Sequence, residues 1–253
     1  MIRTFALRTA AALALAAVGA TGAMAADEAP HWGYDGDTGP EAWGDLSADW
    51  AACSDGQQQS PVDLSGGIRA DLPDLSPGWA DRTGWVAADN GHTVKLSPEG
   101  EAGSIEIDGK DYALIQFHFH HRSEHAIDGE RYPMEAHFVH QADDGTLAVL
   151  GVMLEGGGTE DDALSRIMQT VGEAGADPVD MGAMNPADFL PDDGGFYRYE
   201  GSLTTPPCSE VVVWTVMSQP VQVSDAAIAA FADRYEDDAR PLQPLNRRFL
   251  LTN

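Results

Sequence analysis

Cysteine and lysine are nearly missing from this chain, which has two of each in 253 residues: Cys53 and Cys208, Lys95 and Lys110. Both cysteines lie far in sequence from the histidine cluster at 118–125, so no cysteine-rich structural metal site is expected there. They suffice for one long-range disulfide, or for two buried thiols. Positive charge is scarce as well, with 14 Lys+Arg against 41 Asp+Glu and a net of -27. A field of that sign repels phosphate, which excludes nucleic acid and anionic membranes as partners. Salt screening relieves the self-repulsion of such a surface. Beyond the N-terminus no run is long and apolar enough to span a bilayer.

The N-terminus differs. Residues 1–25 carry Arg3 and Arg8, then an Ala/Leu/Val run, then Ala23-Met24-Ala25. This is the basic, apolar, small-x-small order of a secretory signal peptide. Cleavage is expected after Ala25, leaving a mature domain over 26–253 in the periplasm or outside the cell. Export implies an oxidising compartment, where the disulfide is the expected state of the cysteine pair.

The mature chain shows no internal repeat and no long linker, so it reads as one domain. Short runs of β character dominate: Trp85–Ala87, Thr93–Leu96, Ser104–Ile107, Tyr112–His120, Met134–His140, Leu147–Leu154 and Val211–Ser218. Gly, Asp and Pro turns separate them. Two helices are predicted. One has Thr159 as its cap and Leu164, Ile167, Met168 and Val171 facing inward; the other has Ser224 as its cap, with Ile228, Phe231 and Tyr235 on one face. The fold class is mainly β (α+β), a sheet with peripheral helices.

Four of the eight histidines crowd into Gln116-Phe-His-Phe-His-His-Arg-Ser-Glu-His125. If Tyr112–His120 is a strand, period two puts Gln116, His118 and His120 on one face and Ile115, Phe117 and Phe119 on the other. Two imidazoles on one face need a third ligand from a neighbouring strand. Met134–His140 supplies His137 on a face shared with Glu135 and Val139, and the short connection makes the two strands antiparallel neighbours. Three neutral imidazoles with a fourth position open are a catalytic zinc arrangement. Gln116 and Glu135 then stand as acceptors for imidazole N–H groups. Two other readings remain at this level. The histidines can be structural, hydrogen-bonded groups. His121-Arg-Ser-Glu-His125 also fits H-x-x-E-H, a peptidase pattern with His121 and His125 as ligands and Glu124 as base, which requires a helix there.

The chain resembles the alpha-class carbonic anhydrases over nearly all its mature length. The resemblance runs through "HWGY" (31–34), "GPEAW" (39–43), "QQSPVDL" (58–64), "NGHTV" (90–94), "QFHFH", "SEH", "EAHFVH", "LAVLG" (147–151), "YRYEGSLTTPPCSEVVVW" (197–214) and "RPLQPLNRR" (240–248). It implies a central, mostly antiparallel ten-stranded twisted sheet and reversible hydration of carbon dioxide by zinc-hydroxide attack. It implies His118, His120 and His137 as Zn2+ ligands, with Gln116 and Glu135 behind them. Thr204 and Glu124 become the pair that orients the nucleophile, and His92 the proton shuttle, with Tyr34 and Asn90 ordering the water between. Val139, Val149, Leu203, Val212 and Trp214 form the apolar wall for carbon dioxide, and Thr205 lines the polar side. Cys53 and Cys208 match the disulfide of exported members, and His140 becomes an interior histidine. Partners are then carbon dioxide and bicarbonate only, for a monomer or dimer. The rival is a non-catalytic binding domain on the same fold. Departures are His121, Arg122, Lys95 and Asp238, where Trp, Pro, a neutral polar residue and Asn are the common choices.

Overall fold

Valine, isoleucine and aromatic residues at alternating positions build a sheet that dominates the computed structural model, which describes residues 30–175 and 177–253. The leader expected at 1–25 lies outside the described residues. In chain order the strands are β1 (Ile68–Arg69), β2 (Gly78–Trp79), β3 (Thr83–Asp89), β4 (Val94–Pro98), β5 (Gly103–Ile107), β6 (Lys110–His121) and β7 (Met134–Gln141). They continue as β8 (Leu147–Glu155), β9 (Val179–Met184), β10 (Phe196–Gly201), β11 (Val212–Met217), β12 (Val221–Gln222) and β13 (Leu251–Thr252). Ten of them form one path, β1-β13-β10-β11-β8-β7-β6-β4-β3-β9, with β2, β5 and β12 attached at its sides. Most neighbours are antiparallel; β1/β13, β11/β8 and β12/β8 are parallel, so the sheet is mixed. Among the described residues no helix is long and apolar enough to cross a membrane.

Two apolar layers cover the sheet. On one face Trp85, Phe117, Phe119 and Phe138 pack with Leu164, Ile167 and Phe231 from the two longer helices, all fully buried. Each such side chain contributes roughly 1.5–3 kcal/mol relative to exposure. On the other lie Val62, Val139, Val149, Tyr199 and Trp214. The second helix, Asp225–Ala232, is capped as predicted, with the Ser224 hydroxyl accepting from the Ala226 N–H. The first needs correction: it spans Ala163–Ala174, and its cap is Asp162, not Thr159. Asp162 accepts from Ser165 N–H at 2.7 Å and from the backbone N–H of Ser224, so one carboxylate fixes the starts of both helices. Thr159 offers its carbonyl to the Asp162 N–H.

A second correction concerns β6. Its pairing with β7 shifts between Leu114 and Gln116, a β-bulge that leaves Ile115 without a partner and 40% exposed. Leu114, not Ile115, joins the core with Phe117 and Phe119. The extra residue reverses the alternation at that point.

Cys53 and Cys208 are disulfide-bonded across 155 residues. The bond ties the short helix Ala52–Asp55 to the loop that follows Thr204. His140 is buried, and its Nε2 accepts from the Trp79 indole N–H at 3.0 Å. Burial pushes its pKa down from 6.5 to about 3.

Two outcomes are expected. Reducing the disulfide should lower stability by about 2–4 kcal/mol, read from urea unfolding with and without reductant. Because unfolded His140 takes a proton near pH 6.5 that the folded chain refuses until about pH 3, it costs stability as pH falls through that window. His140→Phe should make the stability profile shallower by about 1.4 kcal/mol per pH unit between the two values, measured by unfolding along a pH series.

Candidate active site

Register places the site. Lys95 of β4 pairs with His118 of β6, His118 with His137 of β7, and His137 with Gly151 of β8, so these four lie in one line across the sheet. Directly paired residues share a face, and period two adds Gln116, His120, Glu135 and Val139 to it. The ring centroids of His118, His120 and His137 stand 4.7 to 5.3 Å apart.

Each ring has one nitrogen beside an oxygen, hydrogen-bonded for His118 and His120 and in close ion contact, without hydrogen-bond alignment, for His137. His118 Nδ1 is 2.8 Å from Gln116 Oε1, His120 Nδ1 is 2.8 Å from the Asp238 carbonyl, and His137 Nε2 is 2.9 Å from Glu135 Oε1. An N–H on those atoms leaves His118 Nε2, His120 Nε2 and His137 Nδ1 with free lone pairs. The three histidines offer ligand nitrogens within 4.8 Å of one another, and His120 Nε2 is a buried atom without a hydrogen-bond partner. Burial, then the charges of His120, His137 and Lys95, hold His118 neutral well below its usual range. Burial likewise lowers His137. For His120 burial is outweighed by Glu124 and Asp238, which raise its pKa. Burial opposes ionisation of Glu135, but His125 and His137 hold its carboxyl well below the carboxylate range. Gly151 gives that carboxylate room, because a Cβ there would sit 2.8 Å from Glu135 Oε1. Three imidazole nitrogen donors without a sulfur suit zinc with an open fourth position, so the residues present fit that ion.

His125, Glu135 and His137 also lie close enough together to suggest a metal. There the chemistry decides otherwise. Both nitrogens of His125 are spent, Nδ1 on Glu135 at 2.8 Å and Nε2 on the Tyr199 hydroxyl at 2.6 Å. Tyr199 in turn donates to Ser60 Oγ at 2.9 Å. This buried chain from Glu135 to Ser60 escaped the sequence reading; "QQSP" and "YRYEG" carry its far end. The peptidase pattern is not formed, because no helix runs through 121–125 and His121 Nδ1 turns away to the Glu236 carbonyl at 2.7 Å.

Glu124 is fully buried. Its Oε1 accepts from the Arg240 backbone N–H at 2.9 Å, and its Oε2 has no hydrogen-bond partner, 3.6 Å from His120 Nε2 and 3.8 Å from His137 Nδ1. Thr204 is buried too, and no hydrogen bond joins it to Glu124. Arg240, also missed from the sequence, is a buried guanidinium that donates to Gln59, to the Ser60 carbonyl and to the Cys53 carbonyl.

His92 is half-buried and stacks on Trp32, ring centroids 3.8 Å apart and nearly parallel. Burial and then His31 lower its pKa. Asn90 Oδ1 accepts from the His92 and Thr93 N–H groups at 2.9 Å, so Asn90 shapes the loop that carries His92. His92 and Tyr34 line a cavity of about 840 Å³ that also reaches Asp238. Burial, then Glu124 and Asp238, keep the Tyr34 phenol protonated. Val139, Val149, Val212 and Trp214 form one apolar cluster, with Leu203 packed on its edge. Thr205 lies outside that cluster, its carbonyl accepting from Cys208 N–H at 2.9 Å.

The family model described as eukaryotic-type carbonic anhydrase matches residues 38–253. A carbonic anhydrase of Nostoc sp. is 39% identical over 236 residues, covering 87% of this chain and 85% of the relative. One from Neisseria gonorrhoeae is 36% identical and covers 95% of each. The solved alpha-carbonic anhydrase of Thermovibrio ammonificans, in complex with the inhibitor sulfanilamide, superposes with a TM-score of 0.83 at 39% identity, covering 88% of this chain and 99% of that one. Family match, relatives and superposition agree with the three-histidine geometry: the chain belongs to the alpha-class carbonic anhydrases, metalloenzymes and lyases that hydrate carbon dioxide.

Proposed function

We propose that this enzyme interconverts carbon dioxide and bicarbonate with Zn2+ held by His118, His120 and His137, and with His92 as the proton relay. The observation that carries the reading is the set of three ring nitrogens, each left free by an oxygen on the opposite side of its ring. Zinc, when bound, supplies a Lewis acid that makes water nucleophilic near neutral pH.

The chain's own residues do the rest. Val139, Val149, Leu203, Val212 and Trp214 offer a nonpolar substrate a wall that holds water poorly, and Thr205 lines the polar side. Glu124 Oε2 is a buried acceptor awaiting a proton. If the Thr204 hydroxyl donates to it, the Thr204 oxygen can only accept, and it fixes the orientation of the attacking water. Gln116 and Glu135 set the tautomers of His118 and His137, the Asp238 carbonyl that of His120. His92 takes the released proton on an imidazole nitrogen and passes it to solvent. Tyr34, kept protonated, remains a hydrogen-bonding partner for water on that path. The leader at 1–25 and the disulfide support an exported enzyme, in the periplasm or outside the cell.

Stopped-flow hydration of carbon dioxide tests the reading. Activity should vanish on zinc removal and return with zinc. Thr204→Ala should lower turnover with zinc content intact, and His92→Ala should slow turnover until imidazole buffer is added. Protein that holds one zinc yet hydrates nothing would point to the binding-domain alternative. Gln116→Ala and Glu135→Ala should each weaken zinc by about 10–100-fold in a chelator competition, because a histidine ring is then free to turn.

A further inference from the structure

Lysine is the scarcest charge on this protein, and its two copies are placed very differently. Lys110 is an ordinary surface partner, its Nζ 2.7 Å from Asp144 Oδ2. Lys95 makes no salt bridge among the described residues. It pairs directly with His118 across β4 and β6, on the far side from His137, and so ends the line that runs through two of the three histidines. Across its other edge Lys95 faces Ala88 of β3, which has no charge to offer it. Its residue is half-buried, on the face of the sheet that carries the histidines.

The rest of the molecule makes this placement costly. At a net charge of -27 the surface repels anions, and bicarbonate is one. Glu124 and Glu135 put two more carboxyl groups beside the histidines. Carbon dioxide is neutral and indifferent to this field, whereas bicarbonate must enter and leave through it. An ammonium with no salt-bridge partner among the described residues, on the strand paired directly with the one that carries His118, is the local exception. We propose that Lys95 is an anion-positioning residue, which draws bicarbonate and other small monovalent anions to the histidine centre against the protein's overall charge. This rests on the zinc-site reading above and adds to it a residue that touches the anion's charge, not the metal.

The test is calorimetric titration of the zinc-loaded protein with sodium thiocyanate, a monovalent anion that is not turned over, at low ionic strength. Zinc content and carbon dioxide hydration are measured on the same samples. One charge within a few ångströms of an anion in a well-solvated site is worth a factor of about three to ten in affinity. Lys95→Gln should weaken thiocyanate by about that factor, and Lys95→Arg should stay within about twofold of the parent. Lys110→Gln removes the same charge at a distant place and should change nothing, with all variants holding one zinc. Equal affinity in Lys95→Gln and the parent would overturn the proposal, as would an equal loss in Lys110→Gln, which would assign the effect to net charge. So would a parent that holds zinc and hydrates carbon dioxide but binds no thiocyanate. A parent that holds no zinc would instead bring down the reading of the site, and the proposal with it.

Discussion

The pairing of β6 with β7 is the constraint on which the site depends. His118 meets His137 in that register, and a slip of one residue would turn His118 and His120 into the aromatic core while Phe117 and Phe119 faced the cleft. Such a slip would put two imidazoles among the aromatic side chains of the core and expose two phenyl rings. The packing of Phe117, Phe119 and Phe138 therefore clamps the geometry of the three-histidine cluster. Imidazoles that face one another across the sheet are held in place by phenylalanines on its other side.

A second layer of order is polar and dry. Buried charge is costly unless paired and hydrogen-bonded. Around the histidines sit Glu124, Glu135 and Arg240, all buried. Each is held by residues distant in sequence or on another strand: Glu135 by His125 and His137, Glu124 by the backbone at 240, Arg240 by three oxygens of the segment 53–60. That last segment is also where the disulfide begins. The N-terminal and C-terminal parts of the domain thus meet behind the site, so that the carboxylates are fixed by residues far apart in sequence. Removing one partner would strand a charge in the interior, which costs far more than the pair contributes.

Much of this was legible in the residues. Period two on one short run separated His118 and His120 from Phe117 and Phe119, and the spacing to His137 allowed an adjacent strand. Ser224 was readable because its helix begins immediately after it. Other features were hidden for physical reasons. Asp162 and Thr159 are both good caps, and only the tertiary bond to Ser224 selects Asp162. β9, with Gly182 at a positive φ and few branched residues, looks like a loop until β3 pairs with it. The resemblance speaks of Asn90 only as an orderer of water; that its carboxamide oxygen also closes its own turn is visible only in the structure. The chain from Glu135 through His125 and Tyr199 to Ser60 joins positions up to 139 residues apart, and no local pattern announces such a contact.

The bulge at Ile115 divides β6 into two segments that no longer share one alternation. Beyond it the strand is paired with β4 and β7 through His118 and its neighbours; before it, the same strand forms a hairpin with β5 whose inward and outward positions are set separately. A length change in that hairpin would be absorbed at the joint instead of travelling along the strand. The rim of the sheet is thereby free to drift in sequence and length while the three imidazoles keep their aim, a separation between the part that can vary and the part that cannot.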